Sequence, residues 1–256
     1  MKKRVSFHTL GCRLNQSETD SLMRNFKQNG YTVVPESEHA DICVVNTCTV
    51  TEHSDAKNRQ LIRRLHRQNP EAIIAVTGCY AQMDSNAVAS IEGVRLVVGN
   101  QDKMKITEYL KKLDINNYPL IVRPKISRKT FVTNSFSKKQ TFENNFSEDH
   151  RDTKKQELNN ETSGQRHLRE TGIKNTRAMI KIQDGCDFMC SFCIIPFARG
   201  RSRFREFSNL QNEARLLISE GVREIVVTGV NIGTYNTKKE NIIRVVDFLN
   251  NLQGLS

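Results

Sequence analysis

Apolar positions in the first 113 residues come in two alternating rhythms: short runs of four to seven residues, and longer stretches in which apolar side chains recur every three or four positions. "RVSFHTL" (4–10), "YTVV" (31–34), "DICVVNT" (41–47), "AIIAVTG" (72–78) and "VRLVVGN" (94–100) read as strands. Between them, residues 15–29 place Leu22, Met23 and Phe26 at helical spacing. "SDAKNRQLIRRLHRQ" (54–68) forms a second helix that must stop by Asn69, ahead of Pro70. A short helix follows "AIIAVTG", and another covers "DKMKITEYLKKL" (102–113). Strands that alternate with helices predict an α/β fold with a parallel sheet and covering helices. The rhythm resumes after residue 176 with "RAMIKIQ" (177–183) as a strand, a helix over 208–220, "REIVVTGV" (223–230) as a strand and a last helix over about 240–252.

Between Arg123 and Thr176 the pattern lapses into Lys, Asn, Ser, Thr and Glu, a composition that cannot bury enough apolar area to offset the entropy of ordering. Residues 121–175 are therefore expected to be a polar, disordered linker between domains at 1–120 and 176–256, cut first by proteases. Phe131, Phe136, Phe142 and Phe146 are expected to be unstructured within it. This stretch tempers the charge argument. The formal net charge of +11 favours a polyanionic partner, yet from Arg123 to Thr176 there are 12 Lys and Arg against 7 Asp and Glu, which supplies +5 of it. The start "MKKRVSFHTLGC" has no apolar run of signal-peptide length and no later stretch approaches a membrane span. The chain is expected to be cytoplasmic, without a membrane partner, and its seven cysteines reduced.

Six of those cysteines fall at informative places. Cys12, Cys48 and Cys79 each follow a strand, in "TLGC", "VVNTC" and "VTGC". The carboxyl ends of parallel strands share one edge of a sheet, where ligands bind, so three thiols distant in sequence can meet there. Cys43, inside "ICVVN", reads instead as core. Cys186, Cys190 and Cys193 have the spacing C-x3-C-x2-C. Structural zinc takes four ligands, and a nucleophilic cysteine needs one thiol and a base. Three thiolates in one loop suit a cubane iron–sulfur cluster whose fourth iron stays open for a substrate to chelate.

"CDFMCSFC", with Phe192 just before its last cysteine, resembles the signature of the radical S-adenosylmethionine superfamily. Together with "TLGCRLNQSET", "VVNTCTVT" and "TGCYAQ" it is similar to the methylthiotransferase family across nearly all the chain outside the linker. "GCRLNQSET", "KIQDGC", "CIIPFARGRSR" and "VVTGVNIG" most resemble the branch that converts N6-threonylcarbamoyladenosine beside the tRNA anticodon to its 2-methylthio derivative. The same chemistry on isopentenyladenosine in tRNA or on a ribosomal-protein aspartate is the alternative, and a non-catalytic cluster-binding fragment is the rival from another class. The resemblance implies a Rossmann-like methylthiotransferase domain, then the first βα units of a partial TIM-type barrel. It implies that Cys186, Cys190 and Cys193 bind a 4Fe-4S cluster that chelates S-adenosylmethionine. It likewise implies that Cys12, Cys48 and Cys79 bind a second 4Fe-4S cluster carrying the sulfur, and that Phe192, Thr228 and Gly229 stand near the cofactor. It also implies tRNA, a flavodoxin- or ferredoxin-like reductant and a sulfur donor as partners.

Two basic features lie outside that set. Arg199, Arg201, Arg203 and Arg205 alternate, which in an extended chain puts them on one face suited to phosphate or carboxylate, or simply to solvent. Arg59, Arg63 and Arg67 recur at helical spacing and read as a solvated face. About 80 residues follow Thr176, room for two βα units and part of a third at roughly thirty residues each. The resemblance implies a six-unit partial barrel and a small RNA-binding β-domain, so the chain as given is expected to be catalytically incomplete, or a piece of a longer product.

Overall fold

Ile42 to Thr47 is buried at every position, as a strand covered on both faces must be, and it forms the middle of the first domain's sheet. The computed structural model describes residues 2–49, 51–114, 118–133, 176–237 and 240–252. Its first domain runs β1 (Arg4–Thr9), α1 (Arg13–Gln28), β2 (Thr32–Val33), β3 (Ile42–Thr47), α2 (Glu52–Gln68), β4 (Ile73–Gly78), α3 (Cys79–Met83), α4 (Ser85–Ala89), β5 (Val94–Val98), α5 (Ile106–Lys111) and β6 (Leu120–Val122). The six strands are all parallel, in the order β2-β1-β3-β4-β5-β6. Successive side chains of β3 enter opposite layers. Ile42 and Val44 pack with Phe7, Leu22, Phe26 and Leu96 on one side. Cys43 and Val45 pack with Ile62, Leu65, Val76 and Val88 on the other. Cys43 is thus a core residue, accepting from Ser6 Oγ at 3.5 Å. Helix α2 starts on a Thr51 cap whose hydroxyl accepts from the Ser54 amide at 3.2 Å, and it ends at Asn69 as Pro70 requires.

The second domain comprises β7 (Arg177–Lys181), β8 (Gln183–Asp184), α6 (Ile195–Arg199), β9 (Arg203–Phe204), α7 (Phe207–Ser219), β10 (Glu224–Thr228) and α8 (Ile242–Asn250). Strands β7 and β10 pair in parallel around α7, a βαβ unit whose core is Ile180, Ile182, Leu210, Ala214, Leu217 and Val245. The whole is the α/β architecture that the alternation predicts.

Three features depart from the sequence reading. "RAMIKIQ" is not one strand: it breaks after Lys181, and β8 turns to pair antiparallel with β9. The stretch from 121 to 133, assigned by composition to the linker, is ordered at its start. Its first residues complete β6, and Phe131 bridges to Arg205 through backbone bonds of 3.0 Å to Phe204 and from Glu206. Short apolar runs in polar surroundings gain their order from partners that composition does not reveal. Phe136, Phe142, Phe146 and the rest of 134–175 lie outside the described residues. Third, Arg199 ends a helix and Gly200 turns at φ +78°, so the four arginines do not share one extended segment.

Candidate functional site

Strand order 2-1-3-4-5 reverses between β1 and β3, and the crevice outside the carboxyl ends at such a reversal is where open α/β sheets bind ligands. Cys12 follows β1, Cys48 follows β3 and Cys79 follows β4 at this edge; the first is exposed and the other two are buried. Glycine and asparagine bring their loops together. Gly11 turns at φ +117°, and a Cβ there would sit 2.6 Å from Cys48 Cβ and 3.1 Å from its sulfur. Gly78 turns at φ +103°, where a Cβ would lie 2.2 Å from the Thr47 carbonyl oxygen. Asn15 Nδ2 donates to the carbonyls of Leu10 (2.8 Å) and Thr47 (3.1 Å), tying the Cys12 loop to the Cys48 loop. Asn58 Nδ2 holds the Cys48 carbonyl at 2.5 Å, and Asn100 Nδ2 reaches Cys79 Sγ at 3.8 Å. Among the described residues no group of three or more His, Cys, Asp or Glu side chains is gathered closely enough to hold a metal ion. The loops are neighbours, but the thiols are not drawn to one point. The donor set nonetheless fits a thiolate-bound cluster: soft sulfur ligands on adjoining loops, one of them open to solvent, with Gly11 clearing the space between two of them.

The triplet of the second domain lies on the loop after β8. Gly185 (φ +71°) precedes Cys186, whose amide donates to the Gly200 carbonyl at 3.1 Å, and the Cys193 amide donates to the Cys190 carbonyl at 3.0 Å. Cys190 is exposed, and Phe192 beside it is 92% exposed. Cys186, Phe188, Ser202, Phe204 and Asn231 line an open cavity of about 280 Å³. Thr228 ends β10 and Gly229 packs against Gln183, where a Cβ would meet Gln183 Cβ and O at 3.1 Å. Gln183, fully buried, joins both loops: its Nε2 donates to the Gly185 carbonyl (2.7 Å) and Ser202 Oγ (3.0 Å), and its Oε1 accepts from the Asn231 amide (2.8 Å). Sequence reasoning passed over Gln183, although a glutamine at the end of an apolar run was a signal.

Arg199 and Arg203, which the alternation places on a face open to phosphate, carboxylate or solvent, are instead 1% and 6% exposed and belong to a buried ionic network between the domains. Arg199 Nη1 donates to Glu18 Oε1 (2.9 Å) and Asp184 Oδ1 (3.1 Å), and its Nη2 to Asn15 Oδ1 (2.5 Å). Lys181 Nζ reaches Glu18 (2.7 Å) and Asp184 (2.9 Å), Lys103 pairs with Glu18, and Arg203 pairs with Asp184 (3.0 Å). Phe131 covers the network, its ring 4.8 Å from Lys181 Nζ and 5.6 Å from Arg203. Burial alone would push the Glu18 carboxyl up. Arg199, then Lys103 and Lys181, outweigh it and hold Glu18 well below the usual carboxylate range. Asp184 is likewise held low against burial by Lys181, Arg199 and Arg203. Of the arginines once grouped, Arg205 is buried against Glu213, and Arg201 keeps an accessible side chain, 41% exposed beside Asp187. On α2, Arg59, Arg63 and Arg67 line an open groove of about 390 Å³ with His66 and Glu92.

The chain thus joins a parallel, Rossmann-like sheet with cysteines along its carboxyl edge to a βαβ unit that carries a three-cysteine loop. Residues 180–251 match the radical SAM superfamily, and residues 4–99 match the uncharacterized protein family UPF0004. The chain is 38% identical over 231 residues to the threonylcarbamoyladenosine tRNA methylthiotransferase MtaB of Bacillus subtilis (strain 168), covering 90% of this chain and 44% of that one. It is 34% identical over 253 residues to MtaB of Aquifex aeolicus (strain VF5), covering 98% and 54%. Its fold is similar to the radical S-adenosylmethionine methyltransferase TsrM from Kitasatospora setae (TM-score 0.53, 14% identity, 91% of this chain and 48% of that one). Both stretches and these relatives make the chain similar to the radical S-adenosylmethionine methylthiotransferases, and it spans about half the length of the curated relatives it matches.

Proposed function

We propose that this chain takes part in methylthiolation of tRNA, at C2 of N6-threonylcarbamoyladenosine beside the anticodon, in the cytoplasm. The observation that supports it best is the pairing of two cysteine sets, each on loops at the carboxyl ends of strands. Cys186, Cys190 and Cys193 would hold the 4Fe-4S cluster that binds S-adenosylmethionine, and Cys12, Cys48 and Cys79 a second one. When bound, the two clusters supply the electron for S-adenosylmethionine cleavage and the sulfur to be transferred. The chain's own residues position and shield. Gln183 fixes the triplet loop against the loop after β10, whose Thr228, Gly229 and Asn231 would help hold S-adenosylmethionine. Exposed Phe192 offers an apolar edge there, and Arg201 offers an accessible guanidinium for substrate phosphate or carboxylate. A flavodoxin- or ferredoxin-like reductant and a sulfur donor complete the set of partners. Among the described residues no helix is long and apolar enough to cross a membrane.

Anaerobic reconstitution tests the reading. About eight irons per chain are expected from two cubanes. Replacing Cys186, Cys190 and Cys193 by Ala should halve the iron and abolish S-adenosylmethionine cleavage, replacing Cys12, Cys48 and Cys79 should halve the iron and spare cleavage, and Cys43→Ala should change neither. Stoichiometric zinc in place of iron would refute it. Mass spectrometry of tRNA nucleosides from cells with and without the gene distinguishes threonylcarbamoyladenosine from isopentenyladenosine as the base modified.

A further inference from the structure

We infer that α6 is a rigid bridge that sets the relative position of the two cysteine sites, with Arg199 and Asn100 as positioning residues; this rests on the reading of both sets as cluster ligands. The helix is closed onto the triplet at both ends. It begins two residues after Cys193, with Pro196 in its first turn, and it stops at Gly200, whose carbonyl accepts from the Cys186 amide at 3.1 Å. Its other side enters the first domain and finishes on the cysteine-bearing loops. The Ala198 carbonyl accepts from Asn100 Nδ2 at 2.7 Å, and that amide group stands 3.8 Å from Cys79 Sγ. Arg199 Nη2 donates to Asn15 Oδ1, while Asn15 Nδ2 holds the Leu10 and Thr47 carbonyls, two residues before Cys12 and one before Cys48. Each first-domain cysteine is therefore a few hydrogen bonds from the triplet.

Asn15, Asn100 and Arg199 are all buried. Buried, charge-assisted bonds are short and directional, so they fix geometry as well as add stability. Two groups that must act on one substrate atom gain from being held at a set separation, and a misplacement of about 1 Å is enough to slow a reaction a hundredfold. Arg24–Glu213 makes the contrast. It too is a pair between the domains, half-buried on the Arg24 side, but it joins α1 to α7 and touches no cysteine loop. Simple adhesion of the domains would be served equally by either.

Hydrogen exchange on the full chain without clusters separates the two roles, using the slowest core amides of β3 and β4 as reference. Arg199→Met should speed exchange in 10–16 and 47–49 by about tenfold or more, the worth of one lost charge-assisted bond. Arg199→Lys, which keeps the charge but not the fork, should give a smaller increase in the same segments. Asn100→Ala should speed exchange at 79–82 and 197–200. Glu213→Gln should loosen α1 and α7 and leave the cysteine loops at wild-type rates. The bridge is overturned if Arg199→Lys and Asn100→Ala leave those loops unchanged, or if Glu213→Gln moves them as much. Absence of cubane iron after reconstitution would defeat the cluster reading alone, because the exchange result does not depend on it.

Discussion

Glu18 meets three cations in the domain interface, Arg199, Lys103 and Lys181, and none of them is near it in sequence. Glu18→Gln leaves those cations with Asp184 as the remaining carboxylate of the network, and removing one partner of a buried pair costs about 3–5 kcal/mol. Denaturant titration at neutral pH should show a loss of that order. The pH dependence has a definite sign. Both carboxyls are held below their ordinary range in the folded state, so their contribution is present above about pH 4–5 and is lost as pH falls toward the folded values. Stability measured from pH 6 downward should fall more steeply for the wild type than for Glu18→Gln. The placement of Cys12, Cys48 and Cys79 just past strands was legible from sequence because each closes an apolar run. Glu18, Lys103 and Asp184 were not, because a charged residue is placed inside only by partners that the fold brings from other elements. The same cause misled the reading of Arg199 and Arg203: alternation said that they shared a face, and their burial depended on carboxylates elsewhere.

Strand–loop junctions carry the first cysteine set, and this much of the architecture followed from apolar runs that end just before a cysteine. The sharp turns at those junctions are where backbone limits are tightest. Gly78→Ala would force a Cβ into the Thr47 carbonyl at a positive φ. It should destabilise the fold by more than about 1 kcal/mol and make buried Cys79 react faster with a thiol reagent under native conditions. Elements without a long apolar signature escaped the sequence reading: β6 has three residues, β9 has two, and α6 has five. Phe131 escaped for a related reason, as a single aromatic in polar company. Phe131→Ala should cost about 2 kcal/mol through lost apolar burial and two cation–π contacts, read as a lowered denaturation midpoint with the iron content of the reconstituted protein unchanged.

As a whole molecule, the two domains share an interior of paired charges, so they should unfold together. Calorimetry should show one transition for the wild type, and Glu18→Gln should separate it into two. The net charge is less telling than its total suggests, since four basic residues of the second domain and its interface, Lys181, Arg199, Arg203 and Arg205, are used internally. The anchoring of the chain on either side of residues 134–175 has a consequence for how this protein can vary. Thr133 bonds to Asn209, and the Thr176 carbonyl accepts from the amides of Arg223 and Glu224, so departure and return are both fastened to the second domain. Loop closure grows dearer by only about 0.6 kcal/mol per doubling of length, so this is a place where a lineage can lengthen, shorten or rewrite the polypeptide while the two cysteine sites keep their mutual alignment. Exchanging 134–175 for a Gly- and Ser-rich segment of the same length should leave the melting temperature and the exchange rates of the cysteine loops where they were.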